Sequence, residues 1–140
     1  MTPASDDWEA RTRSAFAAQR VMAELGIALD ALAPGRVEFS LGHDDRLTQH
    51  TGAMHAGILT TAMDSACGFA AYTLMPGDRT VLTVEFKVNF LRPARAEAYR
   101  VSGEVLKPGR TLTVAEGRAT TPDGTLLAKM TATLIAVSAT

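Results

Sequence analysis

The strongest pattern in the chain is a run that is apolar or small on every side. From His55 to Gly77 it reads HAGILTTAMDSACGFAAYTLMPG, and Asp64 is its only charge. All-round apolarity at helical length predicts a helix inside a core, stopped by Pro76-Gly77. Upstream, SDDWEARTRSAFAAQRVMAELG predicts an N-terminal helix over about residues 6–25, capped by Asp6 with Glu9 at the capping-box position and ended by Gly26. Its apolar stripe of Trp8, Ala15, Phe16, Met22 and Ala23 docks it on the body, and its charges of alternating sign form a solvated outer face. GIALDALAPGRVEFSLG predicts a hairpin turning at Pro34-Gly35, with Val37, Phe39 and Leu41 alternating, and the polar HDDRLTQHTGAM leads to the central helix.

Beyond Gly77 the period changes from helical to alternating. In TVLTVEFKVNFLRPA, Leu82, Val84, Phe86, Val88 and Phe90 fall on one face, and Thr83, Glu85, Lys87 and Asn89 on the other. AEAYRVSGEVL, TLTVAEGRATT and TLLAKMTATLIAV follow, separated by KPGR, which suits a type II turn, and by PDG. The order is helix, hairpin, long helix, then four strands expected as a meander. One antiparallel sheet curled around one very apolar helix accounts for both the helix and the one-faced strands, an α+β class. No repeat or linker interrupts residues 1–140, so one domain is expected.

Composition narrows the function. Fourteen Lys and Arg face fifteen Asp and Glu, and aromatic residues make up 6% of the chain, which is no footprint for nucleic acid. The single cysteine, Cys67, rules out an internal disulfide framework. With no basic start and apolar run at the N-terminus, it points to a cytoplasmic protein. The central segment is too rich in Ala, Gly, Thr and Ser for a membrane span, and Asp64 at its centre would add roughly 2.5–3.5 kcal/mol to insertion.

Asp64 therefore needs a reason. A carboxylate buried without a partner is costly; it either caps a neighbouring element or is kept for chemistry. A carboxylate in apolar surroundings is a stronger base than one in water. A free helix N-terminus offers unpaired N–H groups to a developing oxyanion. Together, one carboxylate, one oxyanion donor and one water suit attack on a polarised carbonyl. By helical spacing Gly57, Thr60, Thr61, Cys67, Gly68 and Ala71 share the Asp64 face, and their small size leaves room for a substrate. Cys67 itself reads as a small core residue, with no histidine placed to activate it. His43, His50 and His55 with Asp44 and Asp45 match no ligand spacing, so no metal is expected.

The stretch HAGILTTAMD, His55 to Asp64, resembles the His-Gly-Gly signature, with Asp nine residues after the His, of the hotdog-fold acyl-CoA thioesterases. More narrowly the chain resembles their phenylacetate-pathway (PaaI-like) branch over about residues 20–137. The strand TVEFKVNFLRPA is similar to the family's strand with a Ser or Thr and a proline-bearing end. The resemblance implies a hotdog fold and hydrolysis of an aryl- or medium-chain acyl-CoA, with coenzyme A as part of the substrate and no other cofactor. It places the acid or nucleophile on Asp64, the oxyanion donor on the Ala56 N–H and the turn on His55. Gln49 stands at the family's Asn position and Thr83 at its Ser/Thr position. By their shared helix face, Gly57, Thr60, Thr61 and Gly68 are expected substrate contacts; the resemblance implies CoA phosphate contacts for Arg92, Lys107 and Arg110, whose ordinary reading is solvated charge. One glycine of the signature is Ala56 here, and Gln49 is a methylene longer than Asn. His55 reads equally as a residue that only fixes the loop, and Thr83 as an ordinary strand threonine.

Two other functions stay open: a hotdog dehydratase or hydratase, and a non-catalytic acyl-CoA binder. The former is disfavoured because the Phe-Pro-Gly stretch typical of carrier-protein dehydratases is absent. Helix geometry adds a constraint on assembly. Ala56 and Asp64 are separated by about 12 Å of helical rise, too far for both to reach one carbonyl. The site is therefore expected at the interface of a homodimer or a dimer of dimers, each Asp64 facing the helix start of the other copy.

Overall fold

Where the sequence alternates, the structure has strands, and where it is apolar all round, a helix. The computed structural model describes residues 1–140. Two helices, α1 (Trp8–Ala18) and α2 (Arg20–Glu24), precede the hairpin of β1 (Ala28–Ala33) and β2 (Arg36–Gly42). After a 3-10 turn at Asp45–Leu47 comes the long helix α3 (Ala56–Tyr72). Four strands follow it: β3 (Arg79–Phe90), β4 (Ala98–Lys107), β5 (Leu112–Thr120) and β6 (Leu126–Ser138). They form one antiparallel sheet in the order β1-β2-β4-β5-β6-β3. The sheet folds over α3, whose Leu59, Ala62, Met63, Ala66, Cys67 and Ala70 are buried against it. This is the hotdog arrangement. No helix is long and apolar enough to cross a membrane.

Two glycines let the helix lie close to the sheet. A Cβ on Gly103 of β4 would run into the backbone carbonyl of Ala66, and one on Gly117 of β5 would sit 3.1 Å from the Cys67 sulfur. Small residues on both sides of this contact replace the usual spacing of interdigitated side chains.

The four strands after α3 are not a simple meander. β4, β5 and β6 are one, but β3 pairs with β6 at the sheet edge. The two longest strands, of 12 and 13 residues, thereby share the longest ladder in the sheet. The expected alternation of β3 is also interrupted. Thr83 lies opposite Leu134 and Glu85 opposite Thr133, so Val84 is an extra residue, a β-bulge. Paired residues share a face. Val81 and Thr83 therefore point inward, as do Phe86, Val88 and Phe90, while Leu82 pairs outward with Ile135.

At the N-terminus the expected single helix breaks at Gln19, whose extended backbone (ψ 96°) separates α1 from α2. Asp7, not Asp6, occupies the cap position and makes no side-chain cap. Glu9 pairs instead with Arg13 one turn on, at 2.8 Å. Thr12 and Met22 are the buried residues of this segment, and Ala23 is exposed. α3 ends at Tyr72, before Pro76. There the Thr73 hydroxyl donates to the Ala70 carbonyl and accepts from the Gly35 N–H, tying the helix end to the β1–β2 turn. Gly35 has φ 77°, the left-handed conformation that glycine adopts freely. Gly109 does not, so KPGR forms no type II turn. The β4–β5 ladder slips between Val105 and Lys107 and opens into a looser connection.

The close approach at Gly103 yields a direct expectation. Gly103→Ala pushes a methyl into backbone that cannot move aside, and should cost at least about 3 kcal/mol. Gly117→Ala meets the Cys67 and Met63 side chains and should cost less. Chemical denaturation of the two variants checks the order.

Candidate active site

Asp64 sits midway along α3, half-buried rather than enclosed, and it has a partner. The Thr83 hydroxyl donates to its Oδ1 at 2.7 Å. The bulge makes this bond geometrically accessible, because it keeps Thr83 on the inner face while the aromatic half of β3 also points inward. The two residues lie in a cleft of about 430 Å³ bounded by α3, the start of β3 and helix α1. Gly68, one turn after Asp64, lines it too.

The start of α3 is built differently. His55 is its N-cap, and the ring Nδ1 accepts from the Gly57 N–H at 2.9 Å. This bond fixes the ring and places its proton on Nε2. The peptide is held from behind as well, since the His55 N–H donates to the Leu47 carbonyl at 2.9 Å. With Gly57 capped by the ring, the Ala56 N–H has no acceptor within the chain and points out of the helix end. Gln49 stands nearby on a tight turn whose N–H groups and carbonyls close on themselves: Gln49 N–H to Ala53 O at 2.9 Å, and Gly52 N–H to Gln49 O at 3.0 Å. Gln49, His55 and Ala56 line a second cleft of about 530 Å³, closed on its other side by Phe90, Leu91 and Arg92.

The residues singled out in the sequence thus fall into two groups on one chain. Asp64, Thr83 and Gly68 share the first cleft, and Gln49, His55, Ala56 and Arg92 the second. The other residues expected at the site lie outside both clefts. Gly57, Thr60 and Thr61 line neither cleft, and the two threonine hydroxyls bond back to the Ala56 and Gly57 carbonyls at 2.9 Å. Cys67 and Ala71 turn to the sheet, away from Asp64, because i+3 and i+7 from it lead onto the buried side of α3. Lys107 and Arg110 lie at the β4–β5 connection and line neither cleft.

The loop histidines and acids are engaged separately. His43 Nδ1 is 2.8 Å from the Tyr99 hydroxyl, and Asp44 takes the Arg46 guanidinium at 2.8 Å. The Arg46 side chain and its backbone N–H hold the Asp44 carboxyl below its usual range.

The far side of the first cleft comes from Ala15, Ala18 and Gln19, of which the sequence pattern marks only Ala15, and Arg11 fixes the helix that carries them. Arg11, taken for part of a solvated face, reaches across α3's end and donates to the Pro76 and Met75 carbonyls at 2.8 and 2.6 Å. It stacks over the Tyr72 ring at 4.7 Å. Ser65, adjacent to Asp64, holds the Gln19 amide. Helical spacing relates Asp64, Ser65, Gly68 and Tyr72 on one face of α3.

Residues 51–128, spanning α3 and most of the sheet, match the thioesterase superfamily. The chain belongs to that superfamily. A thioesterase family protein from Silicibacter pomeroyi of known structure is 52% identical, with a TM-score of 0.91 over 94% of this chain and 98% of that one. A protein of Saccharolobus solfataricus provisionally named an esterase is 32% identical, over 80% of this chain and 79% of its own. E. coli PaaI, from the phenylacetic acid degradation operon, has the same fold at 15% identity, with a TM-score of 0.88 over 96% of each chain. This thioesterase-superfamily chain is a hydrolase.

Its one thiol is not built for nucleophilic work. Burial, with the Asp64 and Glu116 carboxylates adding to it, pushes the Cys67 thiol up to about 12. Cys67 should resist alkylation by iodoacetamide at mildly alkaline pH in the native protein and react fully once denatured. Mass spectrometry of both samples checks this.

Proposed function

We propose that the protein hydrolyses an acyl-CoA thioester, of aryl or medium chain length, at a site shared by two copies of the chain. The observation that carries this reading is the separation of the two clefts along one open strand. The Asp64 cleft borders the start of β3 and the Ala56 cleft its end. β3 is a sheet edge with unpaired backbone groups. It also exposes Leu82 (56%), Val84 (55%), Phe86 (43%) and Phe90 (47%). An edge so long and apolar invites another strand. If a second copy pairs through the same edge, antiparallel about a two-fold axis, each chain's Thr83 end meets the other's Phe90 end. Asp64 of one copy then faces Ala56, Gln49 and His55 of the other.

In that arrangement the chemistry is simple. The thioester oxygen accepts from the Ala56 N–H, which lies at the positive end of α3 and has no competing acceptor. The Asp64 carboxylate, oriented by the Thr83 hydroxyl, acts as general base toward water or attacks the carbonyl itself. The tetrahedral intermediate collapses with loss of the CoA thiolate; where Asp64 is the nucleophile, water then cleaves the resulting anhydride to give the free acid and restore the carboxylate. Gln49 lies where its amide can hold the water or the carbonyl. Arg92, in the second cleft, is a contact for the CoA phosphates. A homodimer or dimer of dimers, no added cofactor and a cytoplasmic setting complete the reading.

Three measurements test it. Asp64→Asn keeps the volume and removes the base, so thiol release from acyl-CoA should fall by ~10²-fold or more with folding intact. Full activity in the folded variant would refute the role. Ala56→Gly keeps the donor and should be tolerated. Ala56→Pro removes it at a helix position where proline fits, and should abolish turnover. Finally, inactive Asp64→Ala and Gln49→Ala chains are dissociated, mixed and refolded together. Each mixed dimer then has one doubly altered site and one intact site. Random pairing should restore about a quarter of the wild-type activity, and no recovery in verified mixed dimers rules out a shared site.

A further inference from the structure

The two clefts differ in charge and therefore in the part of the substrate they suit. Asp64 is the only charged side chain lining the first cleft, whereas the charge in the second is the Arg92 guanidinium. A nucleotide diphosphate is repelled by the first and attracted by the second. This leaves the first cleft for a neutral group. From Asp64 it follows α3 past Gly68 to Phe69 and Tyr72, a distance of about 12 Å by helical rise. Its far wall is not part of the sheet-and-helix body. Ala15, Ala18 and Gln19 of the N-terminal segment form it.

That wall is fixed at both ends. Near its start, Arg11 donates to the Met75 and Pro76 carbonyls and lies over Tyr72. In its middle, the Phe16 ring packs on Phe39 and Phe69, with centroids 5.2 and 5.8 Å apart. At its end the helix breaks, and the Gln19 amide oxygen accepts from the Ser65 hydroxyl at 3.2 Å, directly beside Asp64. The break gives Gln19 an extended backbone and leaves its amide across the cleft instead of continuing the helix surface.

We propose that the cleft between α1 and α3 is the acyl pocket, and that Ala18 and Gln19, at the break between α1 and α2, set which acyl groups it accepts. This rests on the reading of Asp64 as the hydrolytic carboxylate. Alanine at positions 15 and 18 keeps the wall thin, and the Gln19–Ser65 bridge narrows the pocket next to the reacting carbon. Discrimination between acyl groups follows from the room left here, since a methylene that fits or clashes in an apolar pocket changes kcat/KM by about tenfold or more.

The experiment measures kcat/KM by thiol release for straight-chain acyl-CoAs from acetyl to decanoyl and for an arylacetyl-CoA. It uses the wild type, Ala18→Leu, Gln19→Ala and Asp64→Asn, each checked for its Tm and oligomeric state. Ala18→Leu should lower kcat/KM for the longer and aryl substrates relative to acetyl by about tenfold or more. Gln19→Ala should shift the same ratio in the opposite direction. If both variants, folded as the wild type, keep its acyl profile while Asp64→Asn is inactive, the acyl pocket lies elsewhere and the role of Asp64 stands. If Asp64→Asn retains full activity, the hydrolytic reading falls and the pocket assignment with it.

Discussion

Everything at the candidate site depends on how closely α3 lies against the sheet. Gly103 and Gly117 remove two side chains from the strands, and Ala62, Ala66 and Ala70 keep the facing side of the helix flat. The helix backbone is then positioned by backbone, with few rotamers to adjust. Both ends of the proposed chemistry are on this one rigid rod: an N–H at its start and a carboxylate at its middle. Their spacing is set by helical geometry and cannot be tuned by loops. On the proposed reading this keeps one copy from closing the site, and the open edge of the sheet then matters as much as the residues in the clefts.

The first-order plan was legible because burial here is strongly periodic. β4 and β5 show a two-residue rhythm with few exceptions, and α3 is uniform enough to be read as a core helix. The hairpin at Pro34-Gly35 follows from the conformation that glycine permits. Asp64 drew notice as a charge out of place, and His55 and Ala56 through the motif around it.

What escaped reading has a common origin in interactions between distant segments. The bulge at Val84 adds a residue without changing the composition of β3, so a strict alternation put Thr83 on the face opposite its true one. Pairing of β3 with β6 rather than β4 joins segments far apart in the chain, which the local pattern does not encode. Arg11 looked like one of several helix-surface charges, although its guanidinium reaches carbonyls beyond the end of α3. Gln19 carried no local signal at all, since the helix break there involves neither proline nor glycine.

The edge position of β3 also bears on the order in which the protein takes shape. Its neighbour, β6, is separated from it by the whole of β4 and β5. Contacts that close so large a loop form slowly, after local ones. During synthesis the hairpin and α3 are complete while β3 still lacks its sheet neighbour, and its apolar side chains stay open until β6 emerges. The Thr83–Asp64 bond, which spans β3 and α3, is therefore among the last native contacts available to the chain. A nascent or truncated chain can hold a well-formed helix start and still have no Thr83 hydroxyl on Asp64, so the two halves of the proposed site mature at different times.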